Sequence, residues 1–253
     1  MSAVNTSLVQ HLFDLAGIPS HKTILVHARL RGLHQVSGTA YSELSTQILY
    51  QLQQCKPTLL LVPCYTIYSF ELGRVFQREL SHSEVGRFSE ELRQQGFYRT
   101  SDPMYSVLDI LNSLPQGLDY TATFGDGTLC EHLYQSDSII INIDMPGFYA
   151  TPIHQLELNA EVDYRYVKHL SGHIQQQYGS WNRIDYRAYL RDVNRSGAVL
   201  PPYNHQRRLA YLRRCNVVHE AEHCGCHIAW AQLSEFQQAI SAALAQNKHF
   251  LVD

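Results

Sequence analysis

The chain has 253 residues, enough to bury roughly 70–75% of the surface its unfolded form exposes, so it folds without staples. With 20 Lys and Arg against 23 Asp and Glu the formal net charge is -3, a balance that excludes the basic footprint of a nucleic-acid binder. No window holds the ~18 apolar residues of a membrane-spanning helix, the N-terminal stretch lacks the basic and apolar regions of a secretion signal, and the cysteines follow no disulfide framework, so the expected setting is cytoplasmic with reduced thiols.

In chain order, Val9 to Ala16 reads as a short amphipathic helix, and Lys22 to His27 as a compact strand. Gly38 to Gln54 places Leu44, Ile48, Leu49 and Leu52 at helical spacing, and Pro57 to Pro63 is a second apolar strand. That strand–helix–strand order is a βαβ unit, which predicts a parallel sheet with helices on it. A helix over Glu84 to Gln95 follows, then the mixed apolar stretch Tyr105 to Leu114, then the buried-type strand Ser138 to Ile143. Beyond Glu161, Tyr and Arg become frequent. Leu209 to Arg214 and Leu233 to Ala245 read as helices, and no Pro/Gly/Ser-rich linker divides the chain. The expected architecture is a single α/β domain over residues 1–253: three αβα layers around a mostly parallel sheet, ending in a β-hairpin and a helix.

Two motifs compete for the chemistry. His219 to His223 spells H-E-x-x-H, with Cys224, Cys226 and His227 close behind. That pattern binds zinc only on a helix, where residues four apart share a face; on a strand the two imidazoles lie about 13 Å apart. Gly225 and the β-branched, turn-prone run Cys215 to Val218 argue for a hairpin turning at Cys224–Cys226, followed by a helix capped by Ser234. A zinc-binding protein built on residues 219–227 is therefore the lesser reading, and no metal is expected. The second motif follows the strand Ser138 to Ile143. Thr151 can cap a helix starting at Pro152, which places His154 in the first turn with Glu157 at i+3 on the same face. Ligands of parallel α/β sheets collect at the carboxyl ends of strands, and a histidine beside a carboxylate there can serve as a general base.

Six stretches in order then carry a resemblance: Ile24 to His27 with Leu30 to Val36, Ser37 and Gly38; Val62 to Thr66; Ser83 with Val85, Gly86 and Phe88; Arg99 to Pro103 with Ser106 and Val107; Phe124 to Gly127 with Leu133 and Tyr134; and Thr151, His154 and Glu157. The chain resembles the aminoglycoside 3-N-acetyltransferase family, whose members acylate a sugar amine from acetyl-CoA. Asp102 replaces the family's usual histidine before the proline, and Arg29 replaces the second small residue of its first turn. Tyr68 to Phe70, Val162 to Tyr166, and Ser171 with Gly172 are more similar to the branch found in bacterial surface-polysaccharide pathways.

The resemblance implies acetyl-CoA as cosubstrate and an amino sugar, nucleotide-linked, as acceptor, with an aminoglycoside as the alternative. It leaves room for a homo-oligomer. It implies His154 as catalytic base, Glu157 as its orienting partner, and Thr151 or Thr66 or nearby backbone N–H groups facing the oxyanion. His27, Arg29, Leu30, Arg31, Val36, Ser37, Gly38 and Thr66 are the expected coenzyme contacts, with the pyrophosphate at the turn Arg31 to Gly38 before a helix N-terminus. Tyr65, Tyr68, Arg99, Asp102 and Ser106 are the expected acceptor contacts, with a turn role for Asp102 as the competing reading. The basic stretch 165–168 is expected to meet a diphosphate.

Overall fold

The computed structural model describes residues 7–175, 179–191 and 202–252. Its elements run α1 (Leu8–Ala16), β1 (Thr23–Ala28), α2 (Leu30–Ser37), α3 (Tyr41–Gln54), β2 (Leu59–Pro63), α4 (Ile67–Gly73), β3 (Val75–Gln77), α5 (Arg87–Gln94), β4 (Tyr98–Arg99) and β5 (Val107–Asp109). They continue with α6 (Leu129–Gln135), β6 (Ser138–Ile143), α7 (Ile153–Asn159), β7 (Arg165–Gln175), β8 (Trp181–Arg191), α8 (His205–Arg214), β9 (His219–His223), β10 (Cys226–Gln232) and α9 (Leu233–Gln246).

The main sheet has seven strands in the order β4-β5-β2-β1-β6-β10-β9. β1 pairs in parallel with β2 and β6, with Ile24 opposite Leu60 on one side and Ile139 on the other. These three strands are apolar almost throughout because both of their faces are covered. Leu25, Leu61 and Ile140 pack under one helical layer with Ile153, Leu156, Phe236 and Ile240, while Ile24, Val26, Leu60 and Ile141 pack under the other with Leu12, Ile48 and Leu92. The three expected layers are present.

The sheet is mixed rather than mostly parallel. β5 joins β2 and β10 joins β6 antiparallel, and β4–β5 and β9–β10 are antiparallel neighbours whose short connections cannot make a parallel crossover. The expected hairpin at the C-terminal end is β9–β10, turned by Cys224 and Gly225, both in the left-handed region at φ 52 and 76. β10 runs directly into α9, whose N-cap is Gln232; Ser234 lies inside the helix and caps nothing. A second sheet, β3-β7-β8, has no counterpart in the sequence reading; its long hairpin β7–β8 covers Phe70, Phe76 and Met104. Among the described residues no helix is long and apolar enough to cross a membrane.

Candidate active site

β1, β2 and β6 all finish at the same end of the sheet, where β1 presents His27 and the continuations of β2 and β6 supply Tyr65 and the segment 144–152 leading into α7. Thr23, Leu25 and His27 alternate onto the face covered by α7, so strand pleating alone brings His27 to the same side as His154. Asn142 fixes the loop between β6 and α7: its amide donates to Tyr149 O at 2.9 Å and accepts from Tyr149 N at 2.6 Å. Two adjoining recesses meet here and share His27, Tyr149 and Thr151; one extends past Pro63 and Val85, the other contains His154. A separate apolar cavity lies behind Tyr65 and Thr151 and does not include His154.

His154 is oriented by a buried ionic cluster. Its Nδ1 lies 2.6 Å from Glu157 Oε2, and the Glu157 carboxylate is also ion-paired at 2.6 Å with Arg165 Nε of β7. Tyr164 and Tyr203 donate hydroxyl hydrogen bonds to Glu157 Oε1 at 2.9 and 3.0 Å. Burial pushes the Glu157 carboxyl up, but His154, Arg165 and the Tyr164 hydrogen bond outweigh it and bring it down to about 2. An ionised carboxylate only accepts, so the His154 proton sits on Nδ1 and Nε2 keeps its lone pair. Arg165 Nη2, 3.0 Å from Nδ1, is then a neighbouring charge rather than a hydrogen-bond partner. Burial first, and Arg165 second, lower the His154 pKa to about 4, so the ring is neutral at physiological pH. Nε2 has no partner among the described residues, and the Phe124 ring edge fixes the imidazole plane from the side at 5.6 Å.

Thr151 is not a helix cap. α7 begins one residue later than expected, with Pro152 as N-cap and no side-chain cap. The Thr151 hydroxyl instead accepts a 2.7 Å hydrogen bond from Tyr65, which leaves its own proton available to the recess. His27 Nε2 is buried without a partner among the described residues, and burial brings this imidazole down to about 4 as well.

No family model and no curated protein sequence matches the chain. Solved structures do match. A histidine-to-alanine mutant of aminoglycoside acetyltransferase AAC(3)-IVa in complex with a gentamicin aligns with a TM-score of 0.69 at 12% identity, over 100% of this chain and 94% of that one. AAC-IIIb in binary complex with CoASH gives 0.69 at 15% identity over 96% and 97%. YokD from Bacillus subtilis gives 0.69 at 13% over 95% and 93%. The fold is that of the aminoglycoside 3-N-acetyltransferases.

Within this acetyltransferase fold, the expected site residues divide. His154, Glu157, Thr151, Tyr65 and His27 converge. Leu30 to Ser37 is a helix, α2, and not a turn; Gly38 ends it in the left-handed conformation. The anion position at its N-terminus is filled by the buried Asp144 carboxylate, packed so closely that a Cβ on Gly32 would meet Asp144 Oδ2 at 2.1 Å. Arg29 is committed to Asp144 through its carbonyl at 2.9 Å and its carboxylate at 3.6 Å. The N-terminus of α2 is thus closed to a phosphate, and the helix that follows the expected pyrophosphate segment Arg31 to Gly38 is α3, whose N-cap Ala40 makes no side-chain capping hydrogen bond. Leu30 is core, Arg31 and Val36 are exposed away from both recesses, and Ser37 donates back to Leu33 O at 2.7 Å. Thr66 is buried and donates to Pro103 O, so it cannot serve an oxyanion.

Among the expected acceptor contacts, Arg99 and Ser106 are buried and bond one another and Cys64 O, joining β4, β5 and the end of β2. Asp102 takes the turn role, accepting from Met104 and Tyr105 N–H at 2.9 and 2.7 Å and from Tyr186 and Thr123. Tyr68 is 70% exposed on α4, outside both recesses. The 165–168 stretch offers no free cation for a diphosphate: Arg165 is paired with Glu157, and Lys168 with Glu71 at 3.1 Å. The H-E-x-x-H segment lies on β9, where His219 stacks on Trp230 at 4.0 Å and His223 on His11 at 4.5 Å. Among the described residues no group of three His, Cys, Asp or Glu is arranged around a common point for a metal.

Sequence reasoning missed Arg165 in its observed role, as well as Tyr164, Tyr203, His205 and Arg208. None sits at a local spacing from His154 that a helix or strand period would flag; the β7 hairpin and α8 bring them in by tertiary packing.

Proposed function

We propose that the protein is a coenzyme A-dependent N-acetyltransferase acting on the amine of an amino sugar, with His154 as general base. The observation that carries this reading is the Glu157-held His154, proton on Nδ1 and lone pair on Nε2, at the common end of β1, β2 and β6. The acceptor nitrogen attacks the thioester carbonyl, the new C–N bond forms, and the C–S bond breaks as the thiolate leaves. His154 Nε2 takes the proton that the nitrogen sheds and passes it to the departing sulfur. The Thr151 hydroxyl, polarised by the Tyr65 hydrogen bond, donates to the carbonyl oxygen as it becomes an oxyanion. An extended acyl donor reaches Thr151 along the recess that passes Val85 and His27, while the acceptor enters beside His154.

For the acceptor, an aminoglycoside is the reading supported by the solved structures of this fold, several of which hold gentamicin, sisomicin or apramycin. A nucleotide-linked amino sugar of surface-polysaccharide synthesis is the second reading. One observation favours it: the His154 recess is lined by Arg208 and by no carboxylate among the described residues, which suits an anionic or neutral acceptor better than a polycation. The test is thiol release from acetyl-CoA with gentamicin and with a nucleotide-linked glucosamine in parallel, using His154→Asn as the blank. Absence of acetyl transfer to any amino sugar by folded protein overturns the proposal.

A further inference from the structure

Arg208 of α8 is 4% exposed and forms one wall of the His154 recess. Its Nη2 donates to Phe148 O and, at 2.9 Å, to His205 Nδ1. Its Nε is buried, and neither Nε nor Nη1 makes a hydrogen bond to any described residue. No carboxylate lies in ion-pair range of it among the described residues; Glu157, whose charge acts on it from farther off, is already spent on Arg165. Two buried guanidiniums thus face one buried carboxylate, beside a neutral histidine. A buried cation of this kind costs folding free energy unless something neutralises it. The Phe148 carbonyl needs only one neutral donor and does not explain a charge.

His205 adds a second donor. Arginine never accepts, so His205 Nδ1 accepts from Arg208, and the neutral ring carries its proton on Nε2. The ring is held by stacking on Tyr149 at 5.0 Å. Both side chains belong to the first turn of the ten-residue α8, whose positive end also favours an anion.

We propose that Arg208 and His205 form an anion seat in the His154 recess, for a phosphoryl group carried by one of the two substrates. This rests on the acyltransferase reading for what the ligand is, but not for whether the anion binds. The two sources are a phosphate of the coenzyme and a phosphate on the acceptor sugar. The seat also bears on the base. Around His154 stand Glu157 from α7, Arg165 from β7, Tyr203 just before α8, Arg208 from α8 and the Phe124 ring; Arg208 is one of the two cations that hold the imidazole down. An anion on Arg208 offsets that charge and makes His154 more basic when the ligand is in place.

The experiment uses inorganic phosphate and full-length protein, with no turnover needed. Millimolar phosphate should raise the thermal midpoint of wild type and leave Arg208→Gln unmoved, the affinity falling about 10–100-fold. Arg208→Lys, which keeps a charge with fewer donors, should respond weakly and serves if Arg208→Gln does not fold. In wild type, the His154 ring titration followed by NMR should move up on adding phosphate. Calorimetry with coenzyme A and with glucosamine 6-phosphate against glucosamine then separates the sources: the arm weakened by Arg208→Gln names the substrate that carries the anion. Equal stabilisation of wild type and variant by phosphate, or no response of wild type together with an unmoved His154 titration, overturns the seat. Acetyl transfer that persists in that case leaves the acyltransferase reading intact.

Discussion

Replacing Glu157 by Gln tests the centre of the site. The substitution keeps size and one acceptor for His154 Nδ1–H, but strips the buried Arg165 of its only described carboxylate partner. Breaking a buried ion pair from one side costs about 3–5 kcal/mol. A second route gives a similar figure: a carboxyl brought from its ordinary 4.5 to about 2 carries about 3 kcal/mol of linked stability at neutral pH. Because the folded-state pKa is depressed, that stability is complete above pH 4.5 and is lost as pH falls toward 2. Urea unfolding of Glu157→Gln at pH 7 should therefore show a loss of about 3 kcal/mol, and the variant should lose less than wild type between pH 4.5 and 2. Turnover should fall about 10–100-fold, the scale of removing a charged hydrogen-bond partner, because the tautomer survives and only its electrostatic support is gone. Pairing Glu157→Gln with Arg165→Met should restore part of the stability, since the stranded charge leaves with its partner. A Glu157→Gln protein as stable as wild type within about 0.5 kcal/mol would mean that Arg165 is solvated and that the cluster is not a closed network.

Other consequences are as direct. His154→Asn should fold, bind coenzyme A with little change and lose about 10²–10⁴-fold in kcat; an unchanged kcat would remove the general base from the mechanism. His27 and His154 are both lowered from 6.5 to about 4 by burial, so the unfolded chain takes up protons first and stability should drain away as pH falls from 6.5 to 4; a flat stability profile across that window, measured by urea titration, would contradict their burial as neutral rings. Gly32→Ala should destabilise by about 1–3 kcal/mol, because its Cβ would lie 2.1 Å from Asp144 Oδ2, and Gly32→Ala with Asp144→Ala should recover most of that in thermal melts. His219→Ala and His223→Ala should leave turnover within a few-fold of wild type, since both rings are spent on stacking; a loss of a catalytic scale, about 10³-fold, would return the metal reading.

What the sequence made legible follows from the range of each interaction. The strand Ser138 to Ile143 and the helical spacing of Leu44, Ile48 and Leu52 are local patterns set by burial on both faces or on one, and the chain alone displays them. The hairpin turning at Cys224–Cys226 was equally legible, because Gly225 and the β-branched, turn-prone run Cys215 to Val218 argue against a helix there, and Cys224 and Gly225 do turn in the left-handed region. His154 and Glu157 were legible as an i, i+3 pair. Arg165 was visible as a charge but misread as a ligand for a diphosphate, because nothing in VDYRY tells that β7 turns that one side chain inward while Tyr166 stays 39% exposed. The conformation of Leu30 to Ser37 was hidden for a similar reason. A glycine-containing segment after a strand reads as a turn, and only the fold reveals a helix there whose Gly32 packs against Asp144, more than a hundred residues later.

Arg208 marks the limit of such reading most sharply. In HQRRLAYLRR it is one arginine of four on an exposed-looking helix, and composition gives it no distinction from Arg207, Arg213 or Arg214. Arg207 reaches carbonyls of the C-terminal segment, Arg213 pairs with Glu220 at 2.7 Å, and Arg214 lies against Tyr211. Arg208 alone is turned under the loop that ends at His154. Selection for stability would favour a neutral donor at that place, since the Phe148 carbonyl asks for no charge and a buried guanidinium without a carboxylate is a cost. A permanent cation kept one recess wall away from a neutral base is what the proposed anion seat uses, and the response of Arg208→Gln to phosphate decides whether that charge serves a ligand or only the Phe148 carbonyl.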